Sequence, residues 1–236
     1  MAETRKPRRI LINDDGWIMG EAEPPLRVRY LKERMVDTYA GAPVGALLWC
    51  IGGREVYKYE TRVGEVIGEG HQGAENPSLT KSAENVRSLI EECGGPLTAM
   101  VDLCHEAGID MFPSVRMNSH YAIDPAAANA GRFRRDHPEV LIGRPGEKIP
   151  EGSLEWAVRT GLDYAHPLVR EHMAAVICEL FERFDVNGVE LDFMRHPTFF
   201  RLQDAYANRY LMTDFIRHVR RRMDEAATVG DRNLDL

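Results

Sequence analysis

The sequence predicts an α/β fold of the (β/α)8 TIM-barrel type with only about four βα units present, a half-barrel or incomplete barrel forming one domain over residues 1–236. Three observations carry this reading. Apolar runs of strand length alternate four times with helical patterns, which argues for parallel strands joined by right-handed crossovers. All four strand-like runs gather polar residues at their C-terminal ends, where barrels of this type place their active sites. No Gly-x-Gly-x-x-Gly or phosphate-loop sequence follows any of them, so the usual signature of a doubly wound nucleotide-binding sheet is missing.

The first strand covers residues 9–13 and runs into Asp14, Asp15, Gly16 and Trp17. Leu31, Met35 and Val36 then mark a helix over 26–39 that stops near Gly41. The second strand spans 44–51, carries Trp49 near its end and breaks at Gly52 and Gly53. Residues 54–77 are polar and aperiodic, a loop long enough to be expected over one end of the fold. Apolar residues recur at three and four over 83–108, and Gly94, Gly95 and Pro96 divide that helix in two. The third strand, 109–120, places Arg116, Asn118 and His120 at its far end, and a second excursion follows over 121–164. His166 and Pro167 open a helix through Phe184, and Gly188 leads into the fourth strand at 189–197. A long helix covers 205–227, and Asn233, Leu234, Asp235 and Leu236 resemble the opening of a fifth strand.

The fourth strand carries the chemistry. Side chains alternate along a strand, so Val189, Leu191 and Phe193 share a greasy face while Glu190, Asp192 and Met194 share the other. A helix covers the greasy face, which leaves the carboxylates facing whatever the strands enclose. Asp192, with Glu190 before it and Arg195 and His196 after it, suits a carboxylate that attacks or stabilises an anomeric carbon. If the strands converge, Asp14, Asp15, Trp17, Trp49, Arg116, Asn118 and His120 meet Asp192, Arg195 and His196 at one rim. Acids for hydroxyls, planar donors and indoles for stacking make a carbohydrate-type cleft. The bland alternatives are an ion pair fixing the loop after Asp192, packing roles for Trp17 and Trp49, and a simple turn at Asp14, Asp15 and Gly16.

Composition excludes several classes. The formal net charge is −7 and the basic residues are scattered, apart from clusters near Arg5 and Arg217, so no nucleic-acid partner is expected. No segment approaches a membrane span or a signal peptide, which places the chain as given in the cytoplasm, or outside the cell if a leader has been removed. Cys50, Cys93, Cys104 and Cys178 lie far apart, as expected of free thiols, and the usual His and Cys metal spacings are absent, so no metal and no cofactor is expected. A half-barrel would leave its first and fourth strands as open edges, to be covered by another copy of the chain or by missing strands of a truncated product.

The stretches 162–170 and 183–195, together with Ser114 to Asn118 and His137-Pro138-Glu139, resemble family-10-like glycosyl hydrolases, TIM-barrel glycosidases of bacteria. The resemblance implies a (β/α)8 barrel and carbohydrate hydrolysis. The fourth strand is also similar to the Asp-Gly-x-Asp-x-Asp-x-Glu strand of family 18 chitinases, but Asn187 replaces the first acid and Met194 falls where the proton donor belongs. A thioether cannot protonate a leaving group. The second acid of a two-carboxylate mechanism is expected from later strands, so the 236-residue chain is expected to be weak or inactive as a glycosidase. The alternatives are a non-catalytic carbohydrate-binding or assembly protein and a metal-dependent barrel isomerase or lyase.

Overall fold

A computed structural model of the chain describes residues 10–70, 76–119, 130–194 and 197–236. Its strands are β1 (Ile10–Asp14), β2 (Val44–Cys50), the short β3 (Gly52–Gly53), β4 (Val56–Tyr57) and β5 (Glu65–Val66), then β6 (Asp110–Arg116) and β7 (Glu190–Asp192). The principal helices are α1 (Ile18–Glu21), α2 (Val28–Leu31), α3 (Pro77–Cys93), α4 (Pro96–Glu106), α5 (Arg132–Asp136), α6 (Leu154–Val158), α7 (Pro167–Arg183) and α8 (Ala205–Gly230). Strands β1, β2, β6 and β7 form one parallel sheet in chain order, the four strands expected from the sequence.

The sheet is curled into a half-barrel. Its outer face is apolar: Leu47, Trp49, Met111, Val115 and Val189 are buried in the same core as Leu103, Val169, Ile177 and Val219 of the helices. Its inner face carries Asn13, Ser114, Arg116, Glu190 and Asp192, with Ser114 opposite Glu190 and Arg116 opposite Asp192 in the β6–β7 register. The alternation expected for the last strand therefore holds, with carboxylates inside and Leu191 packed against the core.

Two helical expectations differ in detail. The pattern over 26–39 folds as α2, a π-helical turn at Lys32–Val36 and a 3-10 turn at Asp37–Tyr39. The wider turn lets Leu31, Met35 and Val36 all reach the core. The divided helix is α3 and α4, broken where Gly94 and Gly95 take φ of 94° and 146°. Pro96 starts α4, and its free amides are met from outside: Leu97 N and Thr98 N donate to the Glu60 carboxylate at 3.3 and 3.0 Å.

Both excursions fold back on the body. The first forms the small sheet β3–β4–β5. The second includes α5, α6 and an antiparallel bridge between Leu141 and Leu162. Buried charges join them. Arg134 pairs with Glu55, both nearly solvent-free, and its Nη1 also donates to Ser119 O at 2.8 Å and Thr160 O at 2.5 Å. Arg135 pairs with Glu65 at 3.1 Å. Buried Glu179 of α7 accepts from Tyr59 Oη at 3.0 Å, Thr61 Oγ1 at 2.6 Å and Arg62 N at 2.6 Å, which ties the first excursion to that helix.

The C-terminal residues behave as the sequence suggested for the start of a fifth strand. Gly188 and Asp235 form a parallel bridge, Val189 N donates to Asp235 O at 2.9 Å, and Asp235 N donates to Asn187 O at 3.1 Å. Gly188 is required there, because a Cβ would lie 2.1 Å from Asp235 O and 2.5 Å from the Phe112 ring.

Removing one member of a buried ion pair leaves the other desolvated and uncompensated, at a cost of about 3–5 kcal/mol. Arg134→Ala is therefore expected to lower unfolding stability by about 3 kcal/mol or more in urea titrations. An unchanged midpoint would show that Glu55 and Arg134 do not hold the excursions.

Candidate functional site

The site grows from the turn after β1. Gly16 has φ of 66°, and a Cβ on it would stand 2.5 Å from Cys50 O, so only glycine lets this turn close over the end of β2. Asp14 stabilises the turn itself, its Oδ1 accepting from Gly16 N at 2.7 Å. Asp15 is thereby carried over the sheet to Arg116 at the end of β6, whose Nη2 donates to Asp15 Oδ1 at 2.6 Å. Trp17 Nε1 donates to Asp15 Oδ2 at 3.3 Å, and the Trp17 ring is 57% exposed.

Arg116 also reaches the last strand. Its Nε lies 4.0 Å from Asp192 Oδ2, beyond hydrogen-bond range, and has no hydrogen-bond partner among the described residues. The other Asp192 oxygen, Oδ1, accepts from Met194 N at 2.8 Å. Asp15, Arg116 and Asp192 thus form one acid–guanidinium–acid row along the C-terminal rim. Glu190 sits one pleat deeper. Asn13 Nδ2 donates to its two oxygens at 2.9 and 3.2 Å, and the Ser114 hydroxyl also hydrogen-bonds it. Burial holds the Glu190 carboxyl above the usual range and the charge of Asp192 adds to this, while the bonds from Ser114 and Asn13 act the other way.

Beside the row lies a cleft of about 190 Å³ lined by Asp15, Trp17, Gly52, Gly53, Lys58 and Arg116, among others. Asp192 and Glu190 are not in its lining and face the concave trough of the sheet. Lys58 was not singled out by sequence, because it falls in an aperiodic loop. The signal that could have found it is the alternation of Tyr57, Lys58 and Tyr59, two aromatics flanking one cation.

Two expected ligand contacts take other roles. Trp49 is 0% exposed, lies on the helix side of β2 and has no face open to a sugar. Asn118 is buried as a clamp: its Nδ2 donates to Leu162 O at 2.9 Å and Thr198 O at 2.7 Å, and its Oδ1 accepts from Leu162 N and Ser119 N at 2.9 Å. His120, Arg195 and His196 lie outside the described residues. Among the described residues, no three His, Cys, Asp or Glu side chains converge to hold a metal ion. No helix of the described residues is long and apolar enough to cross a membrane.

No family model and no curated protein matches the chain. Solved structures do match it in fold. The GH36 α-galactosidase AgaA from Geobacillus stearothermophilus, in a complex with stachyose, aligns with a TM-score of 0.52 at 17% identity, covering 96% of this chain and 27% of that one. The GH36 α-galactosidase AgaB from the same organism gives 0.50 at 16%, covering 92% and 26%. The α-L-fucosidase isoenzyme 2 from Paenibacillus thiaminolyticus gives 0.50 at 11%, covering 94% and 30%. The chain therefore spans less than a third of each of these proteins. The likeness supports a glycosidase-like fold and does not single out the family-10-like group.

Because Glu190 shares the trough with Asp192 and Asn13, its titration reports the site. In a carboxyl NMR titration its midpoint is expected above that of an ordinary glutamate, where desolvation favours the protonated form. Asp192→Asn should lower the midpoint and Asn13→Ala should raise it. Insensitivity to both substitutions would show that the carboxylates do not share one trough.

Proposed function

We propose that the C-terminal rim of this half-barrel acts on a saccharide as part of a (β/α)8 glycoside hydrolase, with Asp192 as nucleophile or base. The observation that carries the proposal is the row of Asp15, Arg116 and Asp192 at the carboxyl ends of parallel strands, in a fold whose solved neighbours are glycoside hydrolases. Asp192 Oδ2 is the oxygen with a lone pair to spare, since Oδ1 is committed to Met194 N. Attack by Oδ2 on an anomeric carbon, or its abstraction of a proton from water, fits the carboxylate role in either stereochemical variant. Asp15, which accepts from Arg116 Nη2 at 2.6 Å, is placed to meet sugar hydroxyls at the rim. Trp17 supplies an exposed stacking face. Glu190 sits deeper in the same trough and acts on the charge of Asp192 rather than across a sugar ring.

A second reading, saccharide binding without turnover, is favoured by the bond from Met194 N to Asp192 Oδ1, which uses half of the candidate nucleophile to shape its own loop. Turnover separates the two. On the hydrolytic reading, aryl glycosides are cleaved weakly by this chain, and Asp192→Asn lowers kcat by about 10³-fold or more with KM changed by less than about threefold. Glycan binding that survives Asp192→Asn without turnover supports the binding reading, and hydrolysis untouched by Asp192→Asn removes Asp192 from the chemistry.

A further inference from the structure

The cleft beside Arg116 contains a cation, Lys58, with no carboxylate in direct contact among the described residues. Lys58 Nζ donates to Gly16 O at 2.8 Å and lies 5.9 Å from the centre of the Trp17 ring, and among the described residues it forms no ion pair. An ammonium has three N–H donors, so this one carries donors that no acceptor among the described residues takes. Of the neighbouring acids, Asp15 pairs with Arg116 and Glu65 with Arg135, while Asp14 Oδ1 accepts from Gly16 N. A partly desolvated cation with donors to spare is costly, in a chain whose formal net charge is −7.

The walls around Lys58 suit a ring bearing an acid. Gly53 presents bare backbone next to the aliphatic part of Arg116, 3.7 Å from where a Cβ would stand. The exposed Trp17 indole offers a flat apolar face at the mouth. The volume, about 190 Å³, lies below the roughly 300–1,000 Å³ of drug-sized pockets, which suits one sugar unit rather than several.

We propose that this cleft is a subsite for an acidic saccharide, a hexuronate unit whose carboxylate meets Lys58 and whose ring stacks on Trp17. The proposal rests on the saccharide reading above and narrows its substrate class. Burial holds the Lys58 pKa below the ordinary lysine value, with Cys50, Asp14 and Asp15 opposing and Arg116 assisting, which is the state that a carboxylate would relieve.

The test uses the 236-residue chain and follows the Trp17 indole N–H resonance, identified among the three tryptophans by Trp17→Phe, while sodium glucuronate, glucose or sodium sulfate is added at constant ionic strength. Glucuronate is expected to bind at least about tenfold more tightly than glucose, as one charge-assisted contact implies. Lys58→Met, which keeps the apolar stem, should bring glucuronate down to the level of glucose. The dispersed indole spectrum of the variant confirms that it is folded. Equal binding of glucuronate and glucose, untouched by Lys58→Met, would overturn the acidic subsite and leave the saccharide reading standing. Binding of sulfate alone, lost in Lys58→Met, would overturn the saccharide reading and the hexuronate with it, leaving a simple anion site. No response to any probe would overturn the subsite.

Discussion

Asn13 belongs to the first strand of the sheet and Glu190 to the last, yet their side chains meet at 2.9 Å. In a flat sheet, three spacings of about 4.8 Å would hold those strands about 14 Å apart. Only the curl closes that gap, and the rest of the site depends on it. It turns the inner face into a trough, where burial favours the protonated form of Glu190. It also brings the turn after β1 to within reach of Arg116 on β6, past the intervening β2, so that one guanidinium can address Asp15 and Asp192 together.

The excursions are positioned by charge rather than by hydrophobic pattern. Glu55 with Arg134, and Glu179 with its three donors from residues 59–62, are buried interactions whose desolvation cost is offset by several bonds each. Such groups contribute less to net stability than to specifying one arrangement of the loops, the role that polar groups inside a fold serve best. The consequence reaches the cleft. Tyr57 and Tyr59 are buried, and Lys58 between them is turned the other way, toward Gly16 and Trp17. Fixing the tyrosines fixes the cation.

The four strands were legible in the sequence because each is a short apolar run ended by polar residues, and the inward carboxylates of β7 were legible because acids marked one parity. Strand β2 has no such mark. Its residues are apolar on both faces, so nothing in Val44 to Cys50 told which side Trp49 would take, and it took the helices. Asn118 was misplaced for a different reason: it lies beyond the strand end, where a buried amide bonding to Leu162, Thr198 and Ser119 looks in sequence like any rim residue. The charged pairs between the excursions left no trace in sequence, since Glu55 and Arg134 are separated by most of the chain's middle third and follow no period.

The position of Asp192 shows how the rim is ordered on a strand that β6 pairs along its length. Ladder bonds from β6 reach β7 as far as Met117 N to Asp192 O at 3.0 Å, whereas on the other flank the segment ending the chain bonds to Asn187 and Val189, below the acids. Ladder bonds hold the backbone of β7 and leave the Asp192 side chain to be fixed by other contacts. The bond from Met194 N and the nearby Arg116 supply those contacts. The contact that most favours a purely structural role for Asp192 is therefore also the one that a nucleophile at this end of the strand would need, since a catalytic carboxylate must be held within a fraction of an ångström to act.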